Sequence, residues 1–247
     1  MKMTARQKRD LQRLRRVPEF IGARAEFTAA AGAAAATAGT IGSITSAQAA
    51  ALAEQLGVIS SVIEEVTTLA TQQDLQARIG QAATAEAKRL RAELFEHHIR
   101  PVASIAKLAI PDVVKMTVEL RVPPSDLDAE ALFAAVERMA SVAEKNVDRL
   151  LVRGLPADFV AQMRSVAADY RKEIDARGQA RGRLTGATTG IRAELDIGRK
   201  AVETISVIVV KTLRNDPAAL AEWNQIKRVT IKGARSSVQP VTPPAQQ

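Results

Sequence analysis

Residues Ala157–Asp216 read ADFVAQMRSVAADYRKEIDARGQARGRLTGATTGIRAELDIGRKAVETISVIVVKTLRND, a run without proline. Within it Gly178, Gly182, Gly186 and Gly190 stand four residues apart. Four residues is close to one helical turn, so on a helix these glycines form a slowly drifting face that another backbone can approach closely. Phe159, Met163, Val166 and Tyr170 lead into the glycines, and Leu195, Val202, Ile205, Val209 and Leu213 follow them at helical spacing. Each glycine in a helix costs about 1 kcal/mol against alanine, so a helix through this stretch needs packing to hold it. The spacing therefore predicts a helix-packing face at Gly178, Gly182, Gly186 and Gly190. The expected occupant is the alanine-rich 29–38 segment or the same helix of a second copy. On that reading, alanine at Gly182 and Gly186 overpacks the face and destabilises the protein by roughly 1–3 kcal/mol.

Working outward, Asn215-Asp216-Pro217 ends the run and caps a last helix from Ala218 to Lys227, with Trp223 as its expected anchor. The tail Ser236–Gln247, with Pro240, Pro243 and Pro244, has the composition of a disordered segment. Upstream, Gly154 closes a helix and Pro156 stands at the first position of the next, which makes the two antiparallel neighbours. The earlier helix has Leu132, Val136, Met139, Val142, Val147 and Leu150 as its core face. Ser125 with Asp128 resembles a capping box at its start. Before it, Lys115 to Val122 alternates polar and apolar residues with period two and is closed by Pro123-Pro124. This is an extended connector, with Met116, Val118, Leu120 and Val122 turned toward the bundle and 229–232 as its plausible mate.

Toward the N-terminus, Ser46 is a candidate cap for a helix carrying Leu52, Leu56, Ile59, Ile63, Val66 and Leu69 at spacings of three and four. Helical composition continues through Ile79, Ala83, Leu90, Leu94 and Ile105. Gln72-Gln73-Asp74 reads equally as a turn or as a polar patch. Pro101 lies inside this run and predicts a kink near Arg100, where the His97 carbonyl loses its donor. Pro111 stops the helix.

The net charge of +8 belongs to the ends. Residues 1–24 hold Lys2, Arg6, Lys8, Arg9, Arg13, Arg15, Arg16 and Arg24 against only Asp10 and Glu19. Lys227, Arg228, Lys232 and Arg235 have no acid beside them, while the body between is slightly acidic. Residues 5–17 read as a short basic helix interrupted by Pro18, and this arm can contact an anionic surface through Arg6, Lys8, Arg9, Arg13, Arg15 and Arg16. From Phe27 to Ala53 there is no charge, which is long enough for a bilayer, but alanine, glycine, serine and threonine make insertion unfavourable. Arg15-Arg16 and Ser46-Ala47-Gln48-Ala49 suggest an export signal, against which Glu19 and Glu26 argue. A small-residue packing helix in a cytoplasmic protein is the preferred reading.

Chemistry is sparsely provided. With no cysteine, disulfides, thiolate metal sites and cysteine nucleophiles are excluded. The two histidines, His97 and His98, are adjacent, so on a helix they diverge by about 100°. Leu94 and Phe95 stand where a di-metal bundle wants glutamates. No phosphate loop or nucleophile elbow is present, and the few aromatics are not interleaved with bases for nucleic-acid stacking. No catalytic, cofactor-binding or metal-binding residue is assigned, and no cofactor or small-molecule substrate is expected.

The ending Asp216-Pro217-Ala218-Ala219-Leu220-Ala221-Glu222-Trp223, followed by Lys227-Arg228-Val229, resembles that of a loosely defined group of uncharacterised bacterial all-helical proteins. Arg100-Pro101-Val102-Ala103 is similar to a mid-chain element of the same group. The resemblance implies an all-helical fold and transfers no site.

The reading is an all-α, antiparallel bundle of long helices with one extended connector. Its expected divisions are a basic arm over 1–26, a bundle over 27–235 and a tail over 236–247. The expected function is a non-enzymatic structural or interaction protein that pairs with itself or another helical protein through small-residue faces. The alternative is an accessory protein that binds nucleic acid or a membrane surface through basic terminal arms.

Overall fold

The computed structural model describes residues 3–24, 27, 44–109 and 119–227. All regular structure among them is helical, so the fold is all-α. The elements are α1 (Ala5–Gly22), α2 (Ser46–Glu93), a π-helical stretch (Leu94–Ile99), α3 (Arg100–Ala109), α4 (Ala129–Glu144), α5 (Val147–Leu151), α6 (Phe159–Thr212) and α7 (Pro217–Lys227). Most of the expected extended pairing, 115–118 with 229–232, lies outside the described residues. Of its described part, Glu119 is helical and Leu120–Arg121 turn into irregular chain rather than a strand; Leu120 is buried and Val122 is 39% exposed.

Local chemistry explains where the helices begin and break. Thr4 and Gln7 form a reciprocal capping box on α1, with bonds of 3.2 and 2.8 Å. Thr45, rather than Ser46, caps α2, and it does so through the same exchange with Gln48. Asp128 caps α4 by accepting from the Ala131 N–H at 2.8 Å, so Ser125 is not the cap. Ser125 stays in the preceding turn because Arg91 binds the carbonyls of Ser125 and Leu127 at 2.9 and 2.7 Å. The single helix expected over 132–150 is divided into α4 and α5. Asn146 turns its side-chain amide onto the Val142 carbonyl at 2.9 Å, and its own N–H reaches back only to Ala143. Gly154 follows with φ of 96°, the left-handed conformation that ends such a helix. Pro156 lies in the turn before α6 rather than at its first position, since the Phe159 N–H bonds to the Pro156 carbonyl.

Two prolines sit inside helices. Pro18 does not interrupt α1, which runs on to Gly22. The lost hydrogen bond is offset by burial of Val17, Phe20 and Ile21 on either side of it. At Pro101 the helix is accommodated differently. The Arg100 N–H bonds to Phe95, five residues back, and the preceding turn is π-helical. Where a kink is expected near Arg100 the structure has this π turn, inside a helical path that continues from Ser46 to Ala109. Gln72-Gln73-Asp74 is a polar patch on continuous helix, not a turn. The run after Gly154 is one unbroken helix of 54 residues, glycines included.

The chain divides into two compact units. A mid-chain unit takes Thr71–Thr188, and a terminal unit takes Met3–Ala70 with Thr189–Gln247. This division runs inside the expected 27–235 bundle, because α2 and α6 each contribute to both units; the expected boundaries at 26 and 235 and the 236–247 tail lie outside the described residues. In the mid-chain unit, Leu90, Leu94, Ile99 and Val102 meet Leu132, Val136 and Met139 of α4, Leu150 of α5, and Phe159, Met163 and Tyr170 of α6. Arg91 bonds Tyr170 Oη at 3.0 Å, Gly80 faces Ala180, and Gln73 bonds Thr188 at 2.8 Å, so α2 and α6 run antiparallel there. In the terminal unit, Leu14, Val17, Phe20 and Ile21 of α1 pack with Leu52, Ile59, Val62 and Val66 of α2. Ile191, Leu195, Val202, Ile205 and Val209 of α6 and Trp223 of α7 complete that core.

Candidate interaction surfaces

The four spaced glycines divide into two kinds. A methyl placed on Gly178, Gly182 or Gly186 meets nothing within 4 Å, and all three positions are exposed. At Gly190 it would lie 3.0 Å from Leu69 Cδ1. Among the described residues, Gly178, Gly182 and Gly186 therefore receive no neighbour from their own chain. The reason is their phase. Successive positions four apart drift around the helix, and the buried stripe of α6 runs through Ala180, Ala187, Ile191 and Leu195, away from the first three. The 29–38 segment named as one occupant lies outside the described residues.

The closest helix contact is at a glycine the spacing did not single out. A methyl on Gly198 would stand 2.7 Å from Leu14 Cδ1 and 3.2 Å from Val62 Cγ1, where α1, α2 and α6 converge. The signal was present in the sequence, because Gly198 falls between Leu195 and Val202 on the apolar stripe. A glycine on that stripe marks close packing more directly than a repeat of glycines does.

Along the mid-chain unit, α2 and α6 also leave a groove of about 380 Å³ between them. Ala77, Gly80, Ala180 and Leu184 contribute apolar surface to it, and Arg177 and Arg181 line it as well. Leu75 and Ile79 are 54% and 39% exposed on another side of α2. Gln73, only 2% exposed, is the buried polar residue here; its amide donates to Thr188 Oγ1, which in turn donates to the Leu184 carbonyl.

Arg6, Lys8, Arg9, Arg13, Arg15 and Arg16 sit on a docked helix, α1, rather than on a free arm. Arg6, Lys8, Arg15 and Arg16 are exposed, whereas Arg9 and Arg13 are half-buried, with Nε atoms that are buried and lack a hydrogen-bond partner. Burial lowers the Arg13 pKa from its ordinary value; Asp10 and Glu203 oppose that shift and Arg199 adds to it. Asp10 itself is held by Arg199 at 3.1 Å, and Arg199 also binds Asp196. At the other end of α1, Arg24 lies 4.1 Å over the Phe20 ring and bonds Glu222 of α7 at 2.8 Å.

His97 is exposed and His98 half-buried in the π turn. Burial holds the His98 pKa below its ordinary value, with Glu93 opposing and His97 assisting. No group of three or more histidine, aspartate or glutamate side chains among the described residues is placed to hold a metal ion. Nor is any described helix long and apolar enough to cross a membrane. Comparison with protein-family models, curated proteins and solved structures finds no match for this chain. Its functional reading rests on the surfaces just described.

Proposed function

We propose that this chain is a non-enzymatic interaction protein that self-associates through small-residue faces of its long helices. The observation that carries this reading is the exposed face of Gly178, Gly182 and Gly186 on an unbroken α6. Glycine weakens a helix by about 1 kcal/mol per residue, and these three receive no packing from the described residues of their own chain. They leave a strip of bare backbone that a second helix can approach closely. The test is molar mass by light scattering across a range of concentrations. A mass rising above the 26.5 kDa of one chain is expected. Gly182→Leu with Gly186→Leu should reduce it, because the added side chains hold a partner backbone away. A single-chain mass at every concentration overturns the reading.

A second reading is favoured by α1. Because α1 is docked, Arg6, Lys8, Arg15 and Arg16 form part of the folded surface, where a polyanion-binding protein carries its charge. Adding DNA or anionic vesicles to the same measurement addresses it. Complex formation that weakens as salt rises, and is lost in Lys8→Glu with Arg15→Glu, supports this reading; no complex at low salt rejects it.

A further inference from the structure

From Ser46 to Ala77, α2 carries no lysine or arginine but has Glu54, Glu64, Glu65 and Asp74. Leu52, Ile59, Val62 and Val66 are buried in the terminal unit, which leaves Ala50, Glu54, Gly57, Ser61, Glu64 and Glu65 exposed. Their spacing puts them along one outward face. None of these glutamates belongs to an ion pair among the described residues.

On α6, within the mid-chain unit, Lys172, Arg177, Arg181 and Arg183 are exposed around Gly178, Gly182 and Gly186, with Asp175 the one exposed acid in that stretch. These four bases also lack an ion pair among the described residues. Both faces are helical, and their charged side chains have no ion-pair partner among the described residues. Each spans about 20 Å at 1.5 Å per residue. Their charges are opposite, and the small residues on each permit close approach. Pairing the glycine face with its own copy would instead set Arg177, Arg181 and Arg183 against the same three arginines, which like-charge repulsion disfavours.

We propose that the basic glycine face of α6 receives the acidic small-residue face of α2 from a second copy of this chain. The proposal rests on the self-association reading and names the surfaces that carry it. The contact joins unlike patches, so each copy offers one donor face and one acceptor face.

Two charge-reversed variants test it, Glu54→Lys/Glu64→Lys/Glu65→Lys and Arg177→Glu/Arg181→Glu/Arg183→Glu. All six positions are on exposed or partly exposed helix surface, and circular dichroism with thermal melting checks that each variant folds. Each alone should associate more weakly than the natural protein by about tenfold or more. An equimolar mixture of the two should regain association, because the reversed α2 face then meets the reversed α6 face. Variants that associate as the natural protein does would overturn this proposal while leaving self-association standing. So would a mixture that stays dissociated. A natural protein that is monomeric at every concentration overturns both.

Discussion

In the terminal unit, α1 and α7 close over α2 and α6, and the packing is tight enough that a methyl on Gly198 fits only if Leu14 or Val62 shifts. Over residues 174–188 of the mid-chain unit, the same helix α6 presents Gly178, Gly182 and Gly186 to open space. One helix thus uses glycine in two ways, once to admit a neighbour and once, among the described residues, with nothing to admit. Glycine in a helix gives permission for close approach; it does not supply the partner. The partner comes from whichever other elements reach that turn.

The largest expected effect is on the closed side. Trp223 is fully buried, 5.3 Å from the Phe20 ring, and donates its indole N–H to Ser206 at 3.2 Å. Trp223→Ala should cost about 3–5 kcal/mol in chemical denaturation. A loss under about 1 kcal/mol would mean α7 does not seal this core. The mid-chain counterpart is Leu120, which is 1% exposed. Leu120→Asp places a charge in that core without a partner and should cost more than about 2 kcal/mol. An unchanged melting temperature would show that the segment around Leu120 is not part of the core.

The glycines sharpen the comparison, because the two sites should respond with opposite sign. Gly198→Ala forces Leu14 or Val62 to move within a filled space and should destabilise by about 1–3 kcal/mol. Gly182→Ala with Gly186→Ala, measured at concentrations where the chain is monomeric, should stabilise by up to about 1 kcal/mol each. This reverses the destabilisation expected from the sequence, since among the described residues the overpacking argument has no neighbour to act on. Equal signs at the two sites would erase the distinction drawn between them.

The smallest effect concerns pH and belongs to the mid-chain unit. His98 has a lowered pKa in the folded protein because burial disfavours its charged form. Its contribution to stability is therefore fully present above the ordinary value of 6.5 and is lost as pH falls through the folded value. His98→Gln should flatten the pH dependence of the melting temperature below that point. A variant that keeps the natural slope would assign the dependence to other groups.

Much of the fold was legible because helical periodicity reports burial directly. Leu132, Val136 and Met139, or Leu195, Val202 and Ile205, repeat with the period of the face they bury. Proline was less informative. Pro18 and Pro101 look alike in sequence, yet one is absorbed by burial around it and the other by a π turn. The capping residues at Thr45 and Asp128 and the break at Asn146 depend on short side-chain bonds that compete with near-equal neighbours, so a boundary shifts by a residue or two. The basic N-terminus misled for another reason. Net charge says nothing about Leu14, Val17, Phe20 and Ile21, which dock α1 despite its arginines.

By itself the sequence determined that the chain is all-α, where its long helices lie and which residues on them are apolar, because period and propensity act within a few turns. Only the tertiary structure decided which glycines are filled and which are bare, since that depends on residues more than a hundred positions apart meeting at one turn. It also decided that α1 belongs to a core and that Glu54, Glu64 and Glu65 of α2 and Arg177, Arg181 and Arg183 of α6 are exposed and without an ion pair among the described residues. Those outcomes follow from packing over long separations, which no local pattern records.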